Sequence, residues 1–96
     1  MKPSESLSAH HEAIRRVVEQ HHTANPRVFG SVLHGQDREG SDLDLLVDPT
    51  PDTTLMDIAR IQNDLQKLLG IPVDVLTPKA LPEQFRAKVL AEARPV

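Results

Sequence analysis

Apolar residues near the N-terminus recur at helical spacing and predict a first helix from Ser6 or Ser8 to about His22. The residues that set this spacing are Leu7, Ile14, Val17 and Val18. Residues 1–5 are expected to fray. The pair Asn25-Pro26 ends the connection that follows, because a residue before proline is pushed out of the helical region.

Three short segments carry the pattern of β-strands. Residues 27–29 form the first, which stops at Gly30, and residues 31–34 suit a single helical turn. Residues 42–47 give the clearest strand, because apolar and acidic residues alternate along it. Leu43, Leu45 and Val47 point to one face, and Asp42, Asp44 and Leu46 point to the other. Residues 73–76 form the third strand, with Asp74 opposite Val73 and Val75.

Two more helices are predicted in the second half of the chain. One begins at Thr54, which pairs with Asp57 in a motif close to a capping box, and ends at Gly70. Its expected buried stripe is Leu55, Ile58, Ala59, Ile61, Leu65, Leu68 and Leu69. The last helix runs from about Pro82 to Ala93, and Phe85, Val89 and Leu90 are expected to face inward.

Helices that alternate with short strands predict a two-layer α/β domain. We expect a small mixed sheet of three or four strands, packed with helices. The 96 residues suffice for one small domain over residues 1–96, which could rely on a partner or a second copy for stability.

Composition narrows the classes of function. The chain has no cysteine, which excludes disulfides and thiolate metal sites, and its formal net charge is −3. Neither a basic block nor an aromatic stacking platform is present, so direct nucleic-acid binding is not expected. No apolar run approaches a membrane span and no signal peptide is recognisable, so we expect a soluble cytoplasmic protein.

The acidic residues of the two later strands are the candidate chemistry. Asp42 and Asp44 share a strand face about 6.6 Å apart along the backbone. Alone, such a pair is more often a solvated strand face. If the strand with Asp74 is a neighbour, three uncompensated carboxylates share one face, and divalent cations would remove their repulsion. Oxygen ligands of this kind suit Mg²⁺.

Gly30 and Ser31 supply a candidate anion site. Glycine lets the backbone approach a phosphate closely, and a strand that ends in Gly-Ser before a turn directs N–H groups and a hydroxyl to one place. By itself the dipeptide is common in ordinary loops.

Taken together, these motifs have the order of a known family. Gly30-Ser31-x3-Gly35-x5-Ser41-Asp42-Leu43-Asp44 resembles the signature of the polymerase β–like nucleotidyltransferases, and more narrowly of the minimal nucleotidyltransferases. The segment Val73–Thr77 is similar to the position of the family's third carboxylate. The resemblance covers about residues 12–96 and implies the palm-like nucleotidyltransferase fold.

The resemblance also implies roles. Gly30, Ser31 and Ser41 would bind the nucleotide, with ATP as donor. Asp42, Asp44 and Asp74 would be the catalytic carboxylates that hold two Mg²⁺ ions, with Asp74 helping to deprotonate the acceptor hydroxyl. Many minimal members carry arginine where this chain has His34, which leaves the nucleotide preference open.

Three functions are compatible with these residues. The resemblance implies an antitoxin that transfers AMP to a tyrosine of a partner HEPN-domain toxin. A nucleotidyltransferase for small molecules such as aminoglycosides is the second, although it usually has a further helical domain. The third is an antitoxin that blocks its toxin by binding alone. The pairs His10-His11 and His21-His22 are read as solvated histidines, because their spacing is too loose for a zinc site.

Overall fold

The computed structural model describes residues 1–96, in which five helical segments accompany four strands. In chain order they are α1 (Pro3–Ala9), α2 (His11–Gln20), β1 (Thr23–Phe29), β2 (Leu43–Pro49), α3 (Leu55–Leu69), β3 (Val73–Leu76), a 3₁₀ turn (Pro78–Ala80), α4 (Glu83–Glu92) and β4 (Arg94–Pro95).

The strands form one mixed sheet in the order β3-β2-β1-β4. β2 runs parallel to β3 and antiparallel to β1, and β1 pairs antiparallel with β4 at the other edge. α3 makes the connection between the two parallel strands, as parallel pairing requires. The predicted α/β fold with a mixed sheet is confirmed.

One face of the sheet forms the core. α2 packs on β1 and α3 packs on β3, so the apolar side of each strand is covered. The largest side chains that are removed completely from solvent here are Ile14, Leu43, Leu45, Ile61 and Leu65. Burying each contributes about 1.5–3 kcal/mol. The alternation in β2 therefore leaves its acidic residues on the opposite face.

α3 begins and ends where the sequence predicts. The Thr54 hydroxyl accepts a hydrogen bond from the Asp57 N–H at 3.2 Å, and the Asp57 carboxylate accepts one from the Thr54 N–H at 2.9 Å. Gly70 has φ +68° and ends the helix in the left-handed conformation that suits glycine. The predicted stripe is wrong at Leu55 and Leu68, which are 89% and 41% exposed. It is also wrong at the exposed Ala59.

The predicted first helix is in fact two helices that meet at His10. α1 starts at Pro3, so the expectation of a frayed terminus over residues 1–5 is wrong from that residue onward. Pro3, Ser6 and Leu7 are buried, and the Ser6 hydroxyl donates to the Leu69 carbonyl at 3.0 Å. This long-range contact lies at the end of α3 and is invisible in the local sequence.

Two further differences concern the edges of the sheet. β1 starts at Thr23 rather than at residue 27, because an irregularity in its pairing between Ala24 and Arg27 accommodates Pro26. The chain ends in β4, a fourth strand beside β1. Helix α4 buries none of its residues, and Phe85 is 57% exposed rather than inward-facing.

None of these helices has both the length and the apolar character that crossing a bilayer requires.

Candidate active site

Asp44 and Asp74 lie side by side on the sheet face that is turned away from α2 and α3. They are register partners in the parallel pairing of β2 with β3, where adjacent strands are about 4.8 Å apart. Asp42 immediately precedes β2 and shares its face with Asp44 by strand alternation. Asp44 is half-buried, whereas Asp42 and Asp74 are exposed. The three predicted carboxylates therefore lie together on one accessible part of this sheet face. We call this part, formed by Asp42, Asp44 and Asp74, the acidic edge.

Gly30 lies against the acidic edge, next to Asp44. The preceding residue, Phe29, pairs with Asp44 across the β1–β2 ladder. Gly30 has φ +74°, and a Cβ atom at this position would overlap a carboxylate oxygen of Asp44. Only glycine allows the chain to turn here, both because of its φ and because of the space available.

The turn after Gly30 presents unpaired backbone donors. The His34 N–H donates to the Gly30 carbonyl at 3.2 Å, and the Gln36 N–H donates to the Ser31 carbonyl at 2.8 Å. The backbone N–H groups of Ser31, Val32 and Leu33 donate to no acceptor within the protein. The predicted helical turn is thus present, and its amides are free to meet an anion.

The charge of the acidic edge is not balanced by any side chain. Burial, and then the neighbouring charges of Asp74 and Asp42, raise the pKa of Asp44 to about 6. None of the three carboxylates has an Arg, Lys or His partner in an ion pair. In contrast, Asp48 at the other end of β2 pairs with Arg27. The arrangement is unfavourable without a cation and well suited to one.

The three carboxylates suit a Mg²⁺ ion that takes part of its coordination shell from a bound substrate. No group of three ligating side chains in the molecule is arranged to hold a metal ion on its own. Mg²⁺ takes one or two carboxylates from a protein and completes its octahedral shell with water and substrate phosphates. Asp42, Asp44 and Asp74 would supply the protein ligands, and the phosphates would come from a nucleotide at the Gly30 turn.

Ser41 and His34 have contacts that the sequence does not predict. The Ser41 hydroxyl accepts a hydrogen bond from the Arg38 N–H at 2.9 Å, so it closes the loop that leads to Asp42. Its own proton remains available for a ligand. His34 Nε2 lies 3.1 Å from a carboxylate oxygen of Glu92, which ties the Gly30 turn to the end of α4.

Three of the four remaining histidines contact carboxylates or backbone groups. His21 Nε2 is 2.9 Å from Asp64, and His22 Nδ1 is 3.3 Å from Asp57. His10 Nδ1 lies 2.9 Å from the Ser6 carbonyl. His10 and His21 are half-buried, which corrects the expectation that all four paired histidines are solvated.

The nearest concave pocket does not contain the carboxylates. It has a volume of about 310 Å³ and is lined by Leu33, His34 and residues 91–94, on the α4 side of the Gly30 turn. The acidic edge itself is an open sheet face. A substrate that meets the carboxylates is therefore not enclosed by this chain.

Comparison with known proteins gives consistent similarities. A sequence profile of the nucleotidyltransferase domain matches residues 11–96. The protein adenylyltransferase MntA of Thermococcus cleftensis is 33% identical over 86 residues, which are 90% of this chain and 84% of that protein.

Solved structures show the same likeness. A minimal nucleotidyltransferase structure superposes with a TM-score of 0.86 at 43% identity, covering 97% of this chain and 95% of that chain. A toxin–antitoxin crystal structure with AMP-PNP superposes with a TM-score of 0.71 at 14% identity, covering 97% of this chain and 71% of the other. At that identity the second likeness concerns the fold.

Proposed function

This chain belongs to the nucleotidyltransferase domain family, and from that premise we propose that it is a magnesium-dependent protein adenylyltransferase. It moves AMP from ATP to a tyrosine hydroxyl of a HEPN-domain toxin and thereby acts as an antitoxin. We also propose that residues 1–96 form a single domain and that the reaction takes place in the cytoplasm, where ATP is available.

The observation that carries this proposal is the pairing of Asp44 with Asp74, beside Asp42 and against Gly30. Three unpaired carboxylates next to a turn with free amides suit a nucleoside triphosphate with its magnesium. If these carboxylates were only a solvated strand face, there would be no reason for Gly30 to lie so close to the half-buried Asp44. The identity to a protein adenylyltransferase over most of the chain supports the same chemistry.

The residues divide the reaction between them. The turn at Gly30 and Ser31 would hold the triphosphate, and Asp42, Asp44 and Asp74 would hold two magnesium ions. When bound, these ions stabilise the charge on the attacking and leaving oxygens of an in-line displacement. The acceptor oxygen forms a bond to the α-phosphorus, the bond from that phosphorus to the bridging oxygen breaks, and pyrophosphate leaves. Asp74 receives the proton of the acceptor hydroxyl.

The open shape of the acidic edge favours a protein acceptor. A small molecule would need a pocket over the carboxylates, and the only sizeable pocket at this end of the molecule lies beyond the Gly30 turn. A partner protein can supply both the hydroxyl and the missing wall. The fold likeness to a chain of a toxin–antitoxin crystal structure with AMP-PNP is consistent with such a partner.

The test is to incubate the purified chain with ATP, Mg²⁺ and the protein encoded by the adjacent gene, and to weigh both proteins intact. We expect the partner to gain the mass of AMP less water. Stable complex formation without a mass change would instead indicate inhibition by binding alone. Labelling of an aminoglycoside, with no protein labelled, would support the small-molecule activity.

A further inference from the structure

The loop over residues 36–41 connects the Gly30 turn to the acidic edge, and one of its side chains is unlike the rest. Gln36, Arg38, Glu39 and Gly40 are exposed, whereas Asp37 is only 8% exposed. Its carboxylate accepts a hydrogen bond of 2.9 Å from the backbone N–H of Ser4, in the first turn of α1. The loop is therefore fastened to a helix that is far away in sequence.

Helix α1 is itself firmly attached to the core. Leu7 belongs to the main hydrophobic cluster, and Pro3 and Ser6 are buried. The Ser6 hydroxyl bonds to the Leu69 carbonyl at the end of α3. Through Asp37 the loop is thus fixed to the body of the protein and not only to its own flanking strands.

The loop in turn determines where Asp42 lies. The Arg38 N–H donates to the Ser41 hydroxyl at 2.9 Å, and the Ser41 N–H donates to the Arg38 carbonyl at 3.0 Å. One residue beyond Asp42, the Leu43 N–H donates to the Pro72 carbonyl at 2.9 Å. Asp42 stands between this closed turn and the sheet, and its own side chain has no partner that would hold it.

We propose that Asp37 is a positioning residue, which holds the 36–41 loop against α1 and so fixes Asp42 for the magnesium–nucleotide complex. The inference rests on the proposed function, because it assigns Asp37 a part in that same site. Ser4 lies outside the segment that matches the family profile, which begins at residue 11. The attachment is thus made by a residue that the family profile does not cover.

The hydrogen bond from Ser4 can hold the loop in place because its acceptor, the Asp37 carboxylate, is charged. The Ser4 N–H lowers the pKa of the Asp37 carboxyl, so the group is ionised at neutral pH. A hydrogen bond to an ionised acceptor is roughly twice as strong as one between neutral groups. A small displacement of a ligating group is costly in catalysis, since the reacting atoms must be placed within about 0.5 Å.

The experiment compares Asp37→Ala and Asp37→Asn with Glu39→Ala as the matched control. Glu39 lies in the same loop and contacts only the exposed N-terminal amine at 3.2 Å. Hydrogen exchange of the Arg38 and Ser41 amides reports on the loop, and calorimetric titration with MgATP reports on the site. In Asp37→Ala we expect exchange to accelerate and MgATP affinity to fall, each by about tenfold, the scale of one hydrogen bond to a charged group.

Asp37→Asn keeps an oxygen acceptor but loses the charge, so its losses should lie midway between those of Asp37→Ala and the wild type, whereas Glu39→Ala should match the wild type. If Asp37→Ala does not fold, the smaller changes in Asp37→Asn carry the same test. If hydrogen exchange or MgATP affinity is unchanged in both Asp37 variants, the role of Asp37 is overturned while the proposed function is unaffected. A wild-type chain that does not bind MgATP overturns the proposed function and the inference with it.

Discussion

Gly30 lies so close to Asp44 that no other residue could take its place without moving the carboxylate. A Cβ atom at residue 30 would be 3.3 Å from the Asp44 Cγ and would overlap one of its oxygens. The Gly30 turn, with its free amides, can therefore pack directly against the Asp44 carboxylate only because residue 30 has no side chain. The same contact places the half-buried carboxylate directly beside the turn.

The first prediction concerns Gly30→Ala. The added methyl group should displace Asp44 and impose strain at φ +74°, so that transfer of AMP is lost and the free energy of unfolding falls by about 1–3 kcal/mol. Transfer is measured by intact mass and stability by urea denaturation.

Gly70→Ala is the matched control. Gly70, at the end of α3, also has positive φ, at +68°, but its missing Cβ has open space around it. This variant should pay the same backbone strain and keep most of its activity. Equal loss of activity in the two variants would show that the contact with Asp44 is unimportant.

The second prediction concerns the two carboxylates at the start of β2. Asp42→Asn and Asp44→Asn should each lower the rate of transfer by on the order of 10²–10³-fold, because each removes a charge that the proposed magnesium site requires. Asp48→Asn changes the same residue type in the same strand, where the partner is Arg27. It should lower stability slightly and leave turnover near that of the wild type. Undiminished transfer by either Asp42→Asn or Asp44→Asn would mean that the metal lies elsewhere.

The third prediction concerns pH. Burial and two neighbouring anions raise the pKa of Asp44 to about 6, so protons would compete with magnesium for the proposed site below that value. Mg²⁺ affinity and transfer should therefore fall as the pH is lowered through about 6. The stability of the metal-free protein should change in the opposite sense and rise as the pH is lowered.

Between pH 3.8 and about 6, the folded state binds the Asp44 proton and the unfolded state does not, so this group makes the protein less stable as the pH rises. Asp44→Asn removes the penalty. It should stabilise the metal-free protein by about 1–2 kcal/mol at pH 7–8, a value discounted for partial solvation, and have little effect near pH 4. A variant that is less stable than the wild type at pH 8 would contradict this account of the site.

Much of the site could be predicted from the sequence because its signals are local. The alternation in β2 places Asp42 and Asp44 on the face away from Leu43, Leu45 and Val47, and the structure has that arrangement. The ends of α3 at Thr54 and Gly70 are likewise set by side-chain capping and by positive φ.

The parts that were not predicted depend on distant partners. The break at His10 follows from docking of α1, in which Ser6 bonds to Leu69. The burial of Asp37 depends on Ser4, 33 residues away in sequence. The exposure of Phe85 also escaped prediction, because apolar character alone does not reveal whether a helix finds a surface to cover it.

The central claim is that Asp42, Asp44 and Asp74 jointly hold the metal of a nucleotide seated at the Gly30 turn. The most direct measurement is anomalous diffraction from crystals grown with Mn²⁺ and the non-hydrolysable ATP analogue AMP-PNP. We expect manganese peaks at the acidic edge, in contact with carboxylates of both β2 and β3, and the triphosphate at the amides of residues 31–33. Manganese bound away from Asp44 and Asp74, or a triphosphate in the pocket beside Glu92, would contradict the account.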